Sequence, residues 1–573
     1  MSLAGKEKEY APANEVVFAF CGIADFFSNQ QEFEEFKTLA SNKTDLVSDV
    51  DRAAYGDFQT NNRLALEVCN LLKSKGLAPG VIIEPTFGKG NFILAALQTF
   101  ESAESIAGVE IYKPYIWHTK FAILTHYVSK DIFQKNSKKK PRIELHHQSV
   151  FDFNFDNLKT GGKQVLVLGN PPWVTNAMLS SLDSDNLPVK SNFKQYNGFD
   201  AITGKGNFDI AEYISLMLVR AFHQNPGHIA FLVKNSVIKN LVFDQKQNRF
   251  RLSDIEKYGI EAQKEFGAAV DASLFLAKFG SSVQSQCADY DLYRTEDGIK
   301  TRFGWAGNNF VSDIDAYTRS SAIDGKCPFE WRQGVKHDCS KIMELERRGG
   351  EYNNGNGEPV ELENGLVYSL LKSSDLKEPI VRESRKSVII TQTRIGQNTV
   401  YIKDRFPKTW AYLDRNREAF DRRKSSIYKG KPPFSIFGIG DYSLAPYKIA
   451  ISGLYKTWHF TLVYPENGKP VMLDDTCYFL GFEREADAAI TFALLNSQRV
   501  ERFLKSIVFR DSKRMITKEV LMRIDLKVIA GFFTFETVCD ELKKYPALKL
   551  NRRDWEEYVE SLMLVKEVQL AMF

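Results

Sequence analysis

The chain has 573 residues, of which 43% are hydrophobic, 26% charged and 13% aromatic, and it carries a net charge of only +4. That length is too great for one core, so two or three domains are expected, and the near-balanced charge leaves any polyanion partner to a local basic surface. Seven scattered cysteines, an odd number without a C-x-x-C pair, exclude a disulfide framework or a zinc ribbon and read as reduced and intracellular.

The N-terminus is polar before any apolar run, so no signal peptide is read, and no apolar stretch approaches the roughly 20 residues needed to span a bilayer. Residues 1–54 read as a helical extension, with Phe33, Phe36 and Ala40 at i, i+3, i+7 and glutamates on the other face. A loop, Tyr55-Gly56-Asp57-Phe58-Gln59-Thr60, leads to a helix with Leu64, Val68, Leu71 and Leu72 on one side. Strands and helices then alternate. Val81–Ile83 is a strand, Phe92–Phe100 a helix, Ser105–Ile111 a strand, Lys113–Tyr127 a helix and Ile143–His146 a strand. Val165–Leu168, Phe208–Phe222 and His228–Val233 continue as strand, helix and strand, and a further apolar alternation runs through Ala268–Phe279. This alternation predicts a doubly wound α/β domain over residues 55–300. Past Gly304 the strands become short and aromatic, which predicts a separate α+β domain over 301–573.

Four stretches carry chemistry. Val165–Trp173 reads VLVLGNPPW: an apolar strand ending in Asn170, Pro171, Pro172 and Trp173. The two prolines fix φ and remove donors, so an amide, a free carbonyl and an aromatic plate leave the sheet edge in a rigid arrangement. Those groups suit a planar amine: two acceptors for its N–H groups and a surface for its ring. Glu84-Pro85-Thr86-Phe87-Gly88-Lys89-Gly90 sits where the first strand meets its helix, with two glycines for close backbone approach and no third glycine of a dinucleotide fingerprint. Glu110 ends the second strand, where such folds bind a ribose diol. Asp152, followed by Phe153, ends the third, where it suits an adenine amino group. Taken one at a time, each also fits an ordinary turn or loop acid.

In this order and spacing the four stretches resemble an S-adenosylmethionine-dependent DNA adenine amino-methyltransferase of the restriction–modification type, in the gamma arrangement with the catalytic block first. The resemblance implies a Rossmann-like class I methyltransferase domain followed by a DNA target-recognition domain, with S-adenosylmethionine as cofactor and no metal required. Carried over, Thr60, Glu84, Pro85, Phe87, Gly88 and Gly90 would hold the cofactor, with Glu110 at its ribose and Asp152 and Phe153 at its adenine. Asn170 and the Pro171 carbonyl, stiffened by Pro172, would hold the target amine; Trp173 and Phe266 would close on a flipped base. The family has Thr-Pro where this chain has Thr60-Asn61. Phe208-Asp209 and Lys234-Asn235-Ser236 match later family segments.

Double-stranded DNA is the implied partner, in a prokaryotic, cytoplasmic and nucleoid-associated setting, and a cleaving partner would be a separate endonuclease chain because residues 1–54 are too short for a nuclease. Basic clusters in the second half are the candidate contacts: Arg382, Arg385 and Lys386; Arg394; Arg422, Arg423 and Lys424; Lys448 and Lys456; Arg510, Lys513 and Arg514. Two rivals stay open. One is transfer to a protein glutamine amide; the other is a silent DNA-binding specificity subunit.

Overall fold

A computed structural model describes residues 10–42, 59–133, 140–175, 209–267, 270–348, 351–454, 458–510 and 514–570. The chain divides into two compact units, 1–310 and 311–573.

The first unit is built on a ten-stranded sheet. Its strands are β1 (Val81–Glu84), β2 (Ser105–Glu110), β3 (Arg142–His147), β4 (Val165–Gly169), β5 (Gly227–Lys234), β6 (Leu252–Ile260), β7 (Ala272–Phe279), β8 (Gln286–Asp291), β9 (Thr301–Ala306) and β10 (Asn309–Val311). The order over the first seven is 3-2-1-4-5-7-6. Strands β1 to β5 run parallel, and β7 enters antiparallel between β5 and β6. Both β1 and β4 are buried along their whole length, which is why their sequences are unbroken apolar runs.

The helices are α1 (Tyr10–Cys21), α2 (Gln30–Asn42), α3 (Asn62–Ser74), α4 (Asn91–Thr99), α5 (Lys113–Phe133), α6 (Ile210–Phe222), α7 (Asn235–Asn248) and the short α8 (Ala262–Phe266). Asn61 caps α3 by accepting from the Leu64 N–H, and Asp209 caps α6 by accepting from Ala211. Leu64, Val68 and Leu72 of α3 are buried, as their spacing predicts.

The segment after α1 bonds to the sheet edge: Ala24 N donates to Ile143 O at 2.8 Å and Ile143 N to Gly22 O at 2.8 Å. Phe26, Phe27 and Phe36 lie against Trp117 of α5, and buried Lys120 donates to the Phe26 carbonyl. The described part of the predicted extension, residues 10–42, is thus a clasp on α5 that covers the edge of β3.

Strand β6 escaped the sequence reading. Its residues, LSDIEKYGI, mix charge with apolar positions because the strand has a register shift between Ser253 and Glu256 and sits only partly buried. Helix α7 also went unread.

The second unit is α+β. One sheet joins Arg332–Gln333, Cys477–Phe482, Tyr447–Ser452, Thr461–Val463 and Ile380–Val381. The other joins Pro359–Val360, Glu351–Asn354, Glu344–Arg348, Lys386–Ile389, Val367–Leu371 and Met472–Leu473. All seven cysteines of the chain are free thiols. Among the described residues no helix is long and apolar enough to cross a membrane.

Candidate functional site

Strand β1 lies between β2 and β4, so the chain order reverses there, at the kind of switch point where open α/β sheets place their ligands. The glycine turn follows β1 and the Asn-Pro-Pro-Trp run follows β4, side by side. A Cβ at Gly169 would lie 3.4 Å from Glu84 Cγ. The two stretches are 85 residues apart in the chain and meet only because their strands pair.

The turn is shaped by close approach. Gly90 has φ +75°, and a Cβ there would stand 2.4 Å from the Thr119 methyl; Gly88 has φ +52°, and a Cβ there would meet the Gln59 amide at 2.6 Å. Helix α5 clamps the turn, with Thr119 Oγ1 donating to the Gly88 carbonyl at 3.3 Å. The Gly88 N–H donates to Glu110 Oε2 at 2.8 Å, and the Lys89 N–H to Gln59 Oε1 at 3.0 Å. Glu110 also accepts from Tyr112 N at 2.8 Å, so the acid fixes the turn. Phe87 is buried with its ring against Gly108 of β2, and Pro85 is buried as well.

Glu84 is 3% exposed. Burial pushes its carboxyl well above the ordinary carboxylate range, the Ile93 N–H pulls the other way, and the nearby Glu110 charge adds to the rise. Glu84 Oε2 and Thr86 Oγ1 are buried with no hydrogen-bond partner among the described residues. Two unsatisfied oxygens at a glycine turn are costly unless a ligand's donors complete them. A ligand that presents an ammonium group and a ribose diol has donors for these acceptor oxygens, and S-adenosylmethionine has both.

On the β4 side, Asn170 is half-buried and its Nδ2 donates to Thr60 Oγ1 at 3.2 Å. Thr60 is held in turn by Asn91 Nδ2, which donates to its carbonyl at 2.7 Å. Thr60 therefore lies between the amide and the glycine turn, although the next residue is Asn61 where the family has proline. Trp173 is buried, with its indole N–H donating to the Leu232 carbonyl at 3.1 Å. Its ring meets half-buried Phe266 edge-on, centroids 4.9 Å apart at 67°. A base between two parallel rings needs about twice the ~3.5–4 Å contact distance. The expected sandwich is therefore absent in this conformation, and the two rings fill each other's space. Asp152 is exposed and Phe153 is half-buried beside Phe155. Phe208 lies outside the described residues. Asp209, besides capping α6, pairs with Lys234 at 2.7 Å; Asn235 Oδ1 accepts from Ser273 Oγ at 2.6 Å.

The basic clusters of the second unit separate into two kinds. Arg394, Lys424, Arg510 and Arg514 are exposed, as is Arg422, which pairs with Glu418. Arg394 sits in a rigid loop: buried Gln392 donates to the Gln397 carbonyl at 2.5 Å and accepts from Ile436 N at 2.9 Å. Arg423, by contrast, donates to the carbonyls of Phe420, His337 and Ser435 and lies over the Tyr428 ring, so it is a structural staple, not a surface contact. Lys448 is buried, its Nζ donating to the Ala445 carbonyl at 2.6 Å, and is removed from the same set. Arg385 pairs with Asp375 and Lys386 with Glu344. Lys456 and Lys513 lie outside the described residues.

A parallel sheet ordered 3-2-1-4-5-7-6 with strand 7 reversed defines a Rossmann-like class I methyltransferase, the fold that uses S-adenosylmethionine. No protein-family model matches the chain. It is 40% identical over 485 residues to Type II methyltransferase M.NspV of Nostoc sp., covering 83% of this chain and 97% of the relative. The chain belongs to the Type II methyltransferases of restriction–modification. Among solved structures it is similar to the Type IIL restriction-modification enzyme MmeI in complex with DNA, at TM-score 0.49 and 11% identity over 97% of this chain and 75% of that one. It is also similar to the Type I restriction enzyme EcoKI M protein, at TM-score 0.27 and 14% identity over 49% and 58% of the two chains.

Proposed function

We propose that the chain methylates the exocyclic amino group of an adenine extruded from a specific site in double-stranded DNA. The observation that carries this reading is the placement of Asn170 and the Pro171 carbonyl at the carboxyl end of β4, alongside the glycine turn of β1 and tied to it through Thr60.

An aryl amine is a poor nucleophile because its lone pair is delocalised into the ring. In this reading the Asn170 side-chain oxygen and the Pro171 carbonyl each accept one of its N–H bonds. That grip favours a pyramidal nitrogen and turns its lone pair toward the cofactor side, with hydrogen bonds that strengthen as positive charge develops on nitrogen. No strong base is needed, in keeping with a run that contains only Asn, Pro and Trp. Glu84 holds an ammonium group, Glu110 a ribose diol, and the turn from Pro85 to Gly90, with Phe87, gives the close backbone approach. Bound S-adenosylmethionine supplies a methyl group activated by its sulfonium. Asp152 and Phe153 are assigned to the adenine end of the cofactor.

A base in a duplex cannot reach such a site, so it must leave the stack at a cost of a few kcal/mol. Trp173 forms a fixed wall for it, and Phe266, on a short half-exposed helix, turns aside to admit it. The second unit, residues 311–573, supplies phosphate and base-edge contacts, with exposed Arg394, Arg422, Lys424, Arg510 and Arg514 as its donors.

The test is to express the chain in cells lacking DNA methylation and to sequence their DNA with modified-base detection. Adenine methylation confined to one short motif is expected. Methylated cytosine only, or purified DNA left unmodified while a purified protein accepts the methyl group, would overturn the reading.

A further inference from the structure

The short helix α8 carries a buried carboxylate that the chemistry above does not use. Glu265 precedes Phe266, the last residue of α8, and its side chain is 1% exposed. Three donors converge on it. Asn61 Nδ2 donates to Oε2 at 2.8 Å, Tyr293 Oη to Oε1 at 3.0 Å, and Arg63 pairs with Oε1. These donors hold the carboxyl below its ordinary range against the opposing effect of burial.

Two of the donors belong to the segment that builds the other half of the site. Gln59 bonds the glycine turn, Thr60 bonds Asn170 and Asn91, and Asn61 and Arg63 bond Glu265. Four of the five positions from 59 to 63 thus touch the glycine turn, the amide and the helix that carries the ring in contact with Trp173. Asn61 does two jobs at once: its Oδ1 caps α3 through Leu64 N at 2.9 Å while its Nδ2 reaches Glu265. Proline, the family's residue here, has no side chain able to do either.

We propose that Glu265 is a positioning residue for methyl transfer: through Asn61 and Arg63 it registers the Phe266 end of the base site to the Thr60–Asn170 pair. The proposal rests on the adenine-transfer reading above. A fixed carboxylate between the two halves makes the distance from ring to amide a property of one hydrogen-bonded junction, and misplacement of about 1 Å in such a site costs on the order of 10²-fold in rate. The chemical groups themselves stay intact when the junction is loosened.

The test uses the full chain, a short duplex carrying its methylation site and single-turnover transfer of labelled methyl. Asn61→Asp keeps a capping oxygen for α3 but sets a carboxylate against Glu265. Glu265→Gln keeps the shape and leaves one of the three donors without an acceptor. Each is expected to lower the transfer rate about 10- to 100-fold, with cofactor and duplex dissociation constants within about threefold of the parent and a reduced fluorescence rise from 2-aminopurine at the target position. The reciprocal pair, Asn61→Asp with Glu265→Gln, lets the new amide donate to the new carboxylate, and recovery of at least tenfold over the worse single variant is expected. Single variants that transfer at the parental rate, or a double variant no faster than the slower single one, would overturn the proposal. A parental protein that leaves adenine unmethylated in the same assay would overturn the functional reading instead, so the two failures are told apart.

Discussion

Asn170 and Thr60, 110 residues apart, are joined by a hydrogen bond of 3.2 Å from the Asn170 Nδ2 to the Thr60 hydroxyl. With one amide hydrogen directed to Thr60, the plane of the Asn170 amide is set. Asn170→Ala should lower single-turnover transfer by roughly 10²–10³-fold, the usual cost of losing one preorganised partner of a developing charge, while cofactor affinity stays within about threefold. Thr60→Val should give a smaller loss, about tenfold, because the amide is kept and only its orientation is freed. Rapid-quench measurement of labelled methyl transfer checks both.

Trp173 and Phe266 should respond differently to truncation because one is buried and the other is not. Trp173→Ala removes a buried ring and is expected to destabilise the first unit by about 3–5 kcal/mol, so its activity loss would mix folding with chemistry. Phe266→Ala, at a half-buried position, should leave the melting temperature nearly unchanged and lower transfer about tenfold. Thermal melting alongside 2-aminopurine fluorescence separates the two effects.

Glu84 should make stability fall as pH rises. Its folded pKa is raised above the ordinary value near 4.5, so from about that pH upward the folded protein keeps a proton that the unfolded chain has released, and stability declines until the raised value is passed. Glu84→Gln removes this decline. The variant's melting temperature should therefore gain on the parent's between pH 5 and pH 8 in the absence of ligand. Binding a cationic cofactor should ionise Glu84 and release a proton, seen by calorimetry in buffers of different ionisation enthalpy and missing in the glutamine variant.

Arg394 and Arg423 carry the same charge and should fail in opposite ways. Arg394→Ala should leave the melting temperature unchanged and weaken binding of the specific duplex by about 1–3 kcal/mol if the side chain reads a base edge. Arg423→Ala should destabilise the second unit by about 2 kcal/mol or more through three abandoned carbonyl bonds. The slope of log affinity against log salt should shrink by about one unit for a phosphate contact such as Arg510→Ala.

Local pattern and composition by themselves determined the alternation of strands and helices, the strand that leads into Asn170, the glycine turn with Glu84, the acid at Glu110 and the change of character near residue 304. Each is written in contiguous residues, because a buried strand must be apolar throughout and a tight turn must be glycine. Only the tertiary structure decided which of these neighbours touch. Pairing of β1 with β4 brings Glu84 against Gly169. Packing of α8 on the start of α3 joins Glu265 to Asn61 across 204 positions, and burial takes Arg423 and Lys448 out of the basic surface. Such relations depend on strand order and on which face a side chain meets. A linear pattern carries no record of either, because the same arginine or glutamate is equally compatible with solvent and with a buried partner until the fold supplies one.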